Sequence, residues 1–163
     1  MITVSDTSPV HYLILIGQAD LLPKIFSKVL IPEPVAIEMK HSNAPVRVRE
    51  WIASPPDWAS IQKPKHEYLP KRSGLGIGEI AAIALAIEEN ADAVLMDDRA
   101  GILEGRNANL TVLTTFAVFE IAAMRNLIDF EEMLNLLSKT TFRMPPATIV
   151  ADYLRRNAER KAT

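Results

Sequence analysis

Short apolar runs alternate with helical stretches over the first two thirds of the chain. Ile2–Ser5 is apolar and rich in β-branched residues, and it reads as a central strand that ends at Asp6. Thr7 and Ser8 are suited to cap a following helix and Pro9 to its first turn, so a helix is expected over Val10–Ile16, stopping at Gly17. A short helix near Ala19–Phe26 leads into a second strand at Lys28–Ile31. Pro32–Pro34 opens a helix that runs to Lys40, and residues 45–53 form another, with Val46, Val48, Trp51 and Ile52 as candidate buried positions. Trp58–Gln62 is a third strand. The stretch Lys63–Gly78 has the composition of a loop, with five basic or histidine side chains among prolines and glycines. Beyond it come a helix Glu79–Glu89, a strand Ala93–Met96, a helix near Arg99–Arg106 and a strand Leu110–Leu113. Three helices close the chain, at about Phe116–Asn126, Phe130–Ser138 and Pro146–Arg160, the last with a basic end.

Strands that alternate with helices predict an α/β protein with a mainly parallel sheet. Its 163 residues suit one domain over 1–163, ending in a helical segment at about 129–160. The 48% apolar and 23% charged content is that of a packed chain, not a disordered one. There is no cysteine, which excludes disulfides, thiolate zinc sites and a cysteine nucleophile, and fits a reducing compartment. The opening MITVSDTSPV lacks a signal-peptide layout, and runs such as Val10–Gly17 are too short to span a bilayer. A soluble cytoplasmic protein without membrane contact is therefore expected. The net charge of −2 is not that of a duplex-coating protein. It is compatible with an enzyme that gathers carboxylates around a cation and binds nucleic acid locally.

In open parallel sheets, sites form beyond the carboxyl ends of the strands at a topological switch point. Asp6 and the pair Asp97-Asp98 follow predicted strands directly, Glu38 lies on the helix after the second strand, and Glu79 opens the helix after the basic loop. Taken singly, each has a plainer reading: Asp6 as a helix cap, Glu38 as a solvated helix residue, Glu79 as a first-turn acid, Asp97-Asp98 as a turn or cap. Taken together they stand where a parallel sheet would collect them. Clustered carboxylates repel one another, and a divalent cation removes that cost; Mg²⁺ and Mn²⁺ prefer such hard oxygen donors.

The same residues carry a family resemblance. Val4-Ser5-Asp6-Thr7-Ser8-Pro9 resembles the DTSP opening of a prokaryotic branch of the PIN-domain family. Ile31-Pro32…Val35…Glu38 is similar to that branch's P-x-x-V-x-x-E helix, and Gly76–Ala86 to its G-x-G-E-x-x-A-I-x-L-A helix. Ala91–Arg99 resembles its A-D-x-x-L-x-D-D-x-x-A-R segment with the arginine early, and Val112–Thr115 its V-x-G-T with Thr114 in the glycine place. The resemblance implies a three-layer α/β/α sandwich and a metal-dependent ribonuclease using Mg²⁺ or Mn²⁺. It carries over Asp6, Glu38, Glu79 and Asp98 as catalytic acids, with Asp97 beside them as a further metal ligand and Asp6 and Asp98 in direct contact with metal. It also implies relatives among VapC-type toxins of type II toxin–antitoxin pairs, hence a cognate antitoxin and a homodimer as expected partners. The apolar positions Leu13, Ile14, Ile16, Leu21 and Leu22 are read as spare surface for self-association.

RNA is expected to approach through its phosphates at the basic loop Lys63–Arg72, with Thr7, Ser8, Lys71, Arg72 and Arg99 as candidate substrate contacts and Arg106 and Arg143 beyond them. Tyr68 is a candidate to stack on a base. The alternative is a catalytically inactive PIN-like RNA- or protein-binding module. A phosphatase on a related topology is disfavoured, because Asp6-Thr7-Ser8 lacks the second Asp of a D-x-D arrangement.

Overall fold

A computed structural model describes residues Met1–Thr163. The strands are β1 (Ile2–Ser5), β2 (Lys28–Pro32), β3 (Ala59–Gln62), β4 (Ala93–Leu95) and β5 (Val112–Leu113). The helices are α1 (Thr7–Leu15), α2 (Leu22–Ile25), α3 (Glu33–Lys40), α4 (Val46–Ala53), α5 (Ile77–Glu88), α6 (Arg99–Asn107), α7 (Thr115–Met124), α8 (Phe130–Ser138) and α9 (Ala147–Ala162), with a 3-10 turn at Ala19–Leu21. The chain forms two compact units, Met1–Thr114 and Thr115–Thr163.

The first unit carries one five-stranded sheet in the order β3-β2-β1-β4-β5, every pair parallel. Starting at β1, the chain steps outward to β2 and β3, then returns to place β4 on the other side of β1. Right-handed crossovers therefore put α1 to α4 on one face and α5 and α6 on the other. The result is the three-layer α/β/α arrangement expected of the pattern. The switch point lies between β1 and β4, where Ser5 is in register with Leu95.

Register also builds the core. Leu30, Val4, Val94 and Val112 are successive partners across the sheet, so their side chains form one row. Ala82, Ile83, Leu85 and Ala86 of α5 pack in the same cluster. Nearly the whole circumference of α5 is buried, and its alanines let the helix sit close to the strands. At Gly105 of α6, a Cβ would stand 2.8 Å from Val112 Cγ2, so glycine is what lets that helix reach the same row.

Several expected boundaries move. Helix α1 begins at Thr7, because Asp6 already takes the extended N-cap conformation (φ −69°, ψ 173°) and Pro9 fits inside the first turn. It ends before Gly17, which supplies the left-handed conformation (φ 71°) that turns the chain. Val46 is exposed while Val48 and Ile52 are buried and Trp51 is half-buried, because α4 buries only one side. The apolar positions of the first helical region are not spare surface: Leu13, Ile14, Leu21 and Leu22 are buried within the chain itself, and only Ile16 is half-exposed.

The second unit is held by an aromatic cluster. Phe116 packs against Phe130, Phe142 and Tyr153, the last at 5.4 Å between ring centroids. Arg156 lies over the Tyr153 ring at 4.4 Å and pairs with Glu120 at 2.6 Å. The basic end of α9 is largely neutralised in place: Arg155 pairs with Asp152 and Glu159, and Lys161 with Asp129. No helix is long and apolar enough to cross a membrane.

Candidate functional site

The carboxyl ends of β1 and β4 are tied together by the Asp6 N–H, which donates to the Leu95 carbonyl at 3.0 Å. This bond fixes where both acidic segments leave the sheet. Asp6 occupies a helix-cap position, yet its carboxylate makes no cap bond, so the plain capping reading fails for it. The residue is only 6% exposed. Burial, first of all, pushes its carboxyl up to about 7; the charges of Glu79, Glu38 and Asp97 push the same way, and the Thr7 N–H opposes them.

The other acids reach this point from three more elements. Glu38 projects from α3 with Oε2 accepting from the Thr7 hydroxyl at 2.5 Å. Its Oε1 and the Asp6 Oδ1 lie 3.0 and 3.2 Å from where a Cβ on Gly78 would stand. Gly78, at the start of α5, is thus the floor over which two carboxylates meet. Glu79 follows it, half-buried, with Oε2 accepting from the Gly76 N–H at 3.1 Å. Burial raises its pKa, the Gly76 N–H opposes that, and the charges of Asp98 and Glu38 add to it.

After β4 the two neighbouring aspartates divide their contacts. Asp97 is half-buried and accepts from the Ser8 hydroxyl at 2.9 Å. Asp98 is exposed and caps α6 through the Ala100 N–H at 3.0 Å. All five predicted acids therefore stand at the switch point: Asp6 feels the charges of Glu79, Glu38 and Asp97, and Glu79 those of Asp98 and Glu38. Thr7 and Ser8, expected as substrate contacts, are placed with their hydroxyl protons on Glu38 and Asp97.

As the side chains stand, no three Asp, Glu or His groups are arranged to hold a metal ion. The fit to a cation lies in the donor chemistry: every polar side chain named is a carboxylate or a hydroxyl, and the innermost carboxylate stands among like charges with the Thr7 N–H against them. That is the donor set of a hard divalent cation.

Beside Asp98 lies a cleft of about 490 Å³ lined by Arg72, Ser73, Asp98, Arg99, Ala100 and Leu103. Two guanidiniums thus border an acid of the site. The loop that brings Arg72 there is strapped at both ends. Glu88 of α5 accepts from the N–H groups of Lys65 (3.0 Å) and His66 (2.5 Å). Glu104 of α6 accepts from the Tyr68 hydroxyl (2.7 Å) and the Lys71 N–H (2.8 Å). Tyr68 is half-buried and anchored by its hydroxyl to Glu104, and burial with this bond raises its phenol to about 12. Lys71 reaches Glu104 by its backbone, leaving its side chain exposed. Arg106 is exposed on α6, and Arg143 belongs to the second unit.

Sequence reasoning gave Gly78 no role of its own and overlooked Glu104. The first stood inside a quoted motif, where its spacing beside Glu79 was the available signal. Nothing local marks Glu104, whose partners lie 33 and 36 positions away.

A doubly wound parallel sheet with five acids at its switch point defines the class of fold and site. Residues 2–159 match the PIN domain family, and the chain belongs to that family. Among solved structures it is similar to a PilT N-terminus domain protein, SSO1118, from the archaeon Sulfolobus solfataricus P2. The two share 16% sequence identity with a TM-score of 0.51, over 89% of this chain and 100% of that one. At that identity the likeness concerns the fold. No curated protein matches the chain significantly.

Proposed function

We propose that this PIN-domain protein is a metal-dependent endoribonuclease that hydrolyses RNA phosphodiester bonds with Mg²⁺ or Mn²⁺. The observation that carries the reading is the Asp6 carboxyl, sealed from solvent among other acids and pushed up to about 7 by that burial. A carboxylate kept in so unfavourable a place, with its capping bond unmade, is accounted for by a cation. Asp6 and Asp98 would hold it directly, with Glu38, Glu79 and Asp97 completing the oxygen set. A bound divalent cation supplies an activated water and neutralises charge on the phosphate. Thr7 orients Glu38 and Ser8 orients Asp97 through the bonds described above. Arg72 and Arg99 would seat the RNA backbone by its phosphates at the Asp98 cleft.

The proposal extends to a role as the toxin of a type II toxin–antitoxin pair, with a cognate antitoxin and a homodimer as its assemblies, and this part rests on the sequence resemblance to VapC-type toxins alone. A second reading, a PIN-like module that binds RNA or protein without cutting, draws on the finding that no three acids close on one point. One experiment separates them: cleavage of labelled single-stranded RNAs and a structured tRNA with Mg²⁺, Mn²⁺ or EDTA, wild type beside Asp6→Asn and Asp98→Asn. Metal-dependent cutting that both variants lose is the expected result. Binding without cutting under every condition replaces the nuclease with the module. Light scattering across concentration tests the dimer, which a monomer throughout would exclude.

A further inference from the structure

Glu104 is a buried acid outside the carboxylate cluster. It sits on α6, fully inaccessible to solvent, five residues beyond Arg99. Acids are rarely sealed in this way without a partner that needs them. Its partners all belong to the basic loop: the Tyr68 hydroxyl at 2.7 Å, the Lys71 N–H at 2.8 Å, and the adjoining Arg72 through its N–H and its charge. These contacts hold its carboxyl below the usual range, the Lys71 N–H contributing most. Both side-chain bonds fall on Oε1, while Oε2 is buried without a hydrogen-bond partner, so the loop is what holds this carboxyl in place.

Arg72 is the residue immediately after the strapped backbone, and its exposed side chain lines the cleft that Asp98 and Arg99 share. A loop end free to move would spread that guanidinium over many positions. One fixed at Lys71 confines it to the mouth of the cleft, so less ordering entropy is lost when an anion binds. Both arginines then depend on α6, Arg99 by its sequence position and Arg72 through Glu104.

We propose that Glu104 is a positioning residue that fixes Arg72 beside Asp98, so that the two arginines of the cleft grip adjacent phosphates of a single-stranded nucleic acid. The inference rests on the nuclease reading of the same site and adds how the strand is seated.

The test uses the full chain carrying Asp6→Asn to prevent cutting, and a fluorescein-labelled single-stranded oligoribonucleotide. Binding is followed by anisotropy across a salt series. Glu104→Ala is expected to weaken binding roughly fivefold, as an exposed charge contact would. It is also expected to flatten the slope of log K against log salt by about 0.7, the signature of one lost phosphate contact on a single strand. Arg72→Ala should do the same, and the double variant should add nothing further, since both substitutions remove one contact. Glu104→Gln keeps an acceptor oxygen for Tyr68 and Lys71, preserves the fold, and should recover most of the loss. Amide exchange of residues 65–75 is measured on the same variants, and Glu104→Ala should speed it at Lys71. Faster exchange with unchanged salt slope, or effects that add in the double variant, would overturn the positioning role. Faster exchange in a protein whose parent binds no oligonucleotide would overturn it through the nuclease reading, leaving the strap as local architecture.

Discussion

Replacing Asp6 by Asn should make the metal-free protein more stable, and by an amount that grows with pH. The folded-state pKa of Asp6 lies at about 7 against an ordinary 3.8. Between those two values the folded chain keeps a proton that the unfolded chain has released. Stability therefore falls as pH rises through that window and levels off above it. At roughly 1.4 kcal/mol per pKa unit, the full penalty is about 4 kcal/mol. Asn keeps an oxygen for the Thr7 N–H but has no proton to lose. Glu79 also titrates high, but it is present in both proteins and largely cancels in their difference. Denaturant unfolding in EDTA from pH 4 to pH 8 should show the two proteins close together at the acid end. At pH 8 the variant should lead by up to about 4 kcal/mol, or on the order of 10 °C in Tm for a chain of this size. Adding Mg²⁺ or Mn²⁺ at pH 8 should then raise the wild type alone, by about 2.7 kcal/mol at a hundredfold excess over Kd. A gap that stays constant from pH 4 to pH 8 would refute the reasoning, because it would mean that Asp6 ionises as an ordinary surface carboxyl.

Gly78→Ala places a methyl 3.0 Å from Glu38 Oε1 and 3.2 Å from Asp6 Oδ1. It should cut metal affinity and RNA cleavage at least about tenfold while costing no more than roughly 1–3 kcal/mol of stability, read by titration calorimetry and unfolding side by side. Gly101→Ala drives a methyl into the Met96 side chain. Overpacking of this kind should destabilise by roughly 1–3 kcal/mol in denaturant unfolding. Thr7→Val removes the hydroxyl that holds Glu38. It should lower cleavage severalfold and leave thermal stability within about 1.5 kcal/mol, the worth of a single hydrogen bond. Phe116→Ala empties the centre of the aromatic cluster, and unfolding followed by near-UV circular dichroism should show a loss of about 3–5 kcal/mol.

The sheet and the acids of its switch point were legible in the sequence for a physical reason. A buried parallel strand needs a short apolar run, and the residue that leaves its carboxyl end comes next in the chain. Asp6 and Asp97-Asp98 are therefore marked by position alone. The run of Ala, Ile and Leu likewise marked α5, which is apolar nearly all round, and α8 buries a single face at Phe130, Met133, Leu134 and Leu137. What stayed hidden depends on side-chain reach. Thr7 and Ser8 look like caps or substrate contacts until Glu38 and Asp97 are found 31 and 89 positions away. Nothing local shows that the Tyr68 hydroxyl is anchored to Glu104, 36 positions away. The apolar positions around Leu13 and Leu22 look surplus because apolar count does not reveal how much neighbouring surface there is to cover; in the fold all but the half-exposed Ile16 are buried.

The central place of β1 makes the site dependent on the order of synthesis. The first acid is made at residue 6, but its opposite wall waits for β4, whose Thr3↔Ala93 pairing spans most of the first unit. Until the chain has emerged beyond residue 98 and that strand has entered beside β1, Asp6 lacks its bond to Leu95 and the Asp97-Asp98 side of its surroundings. The Asp97-Asp98 side of this centre is therefore completed only once β4 has paired beside β1, however early Asp6 is made.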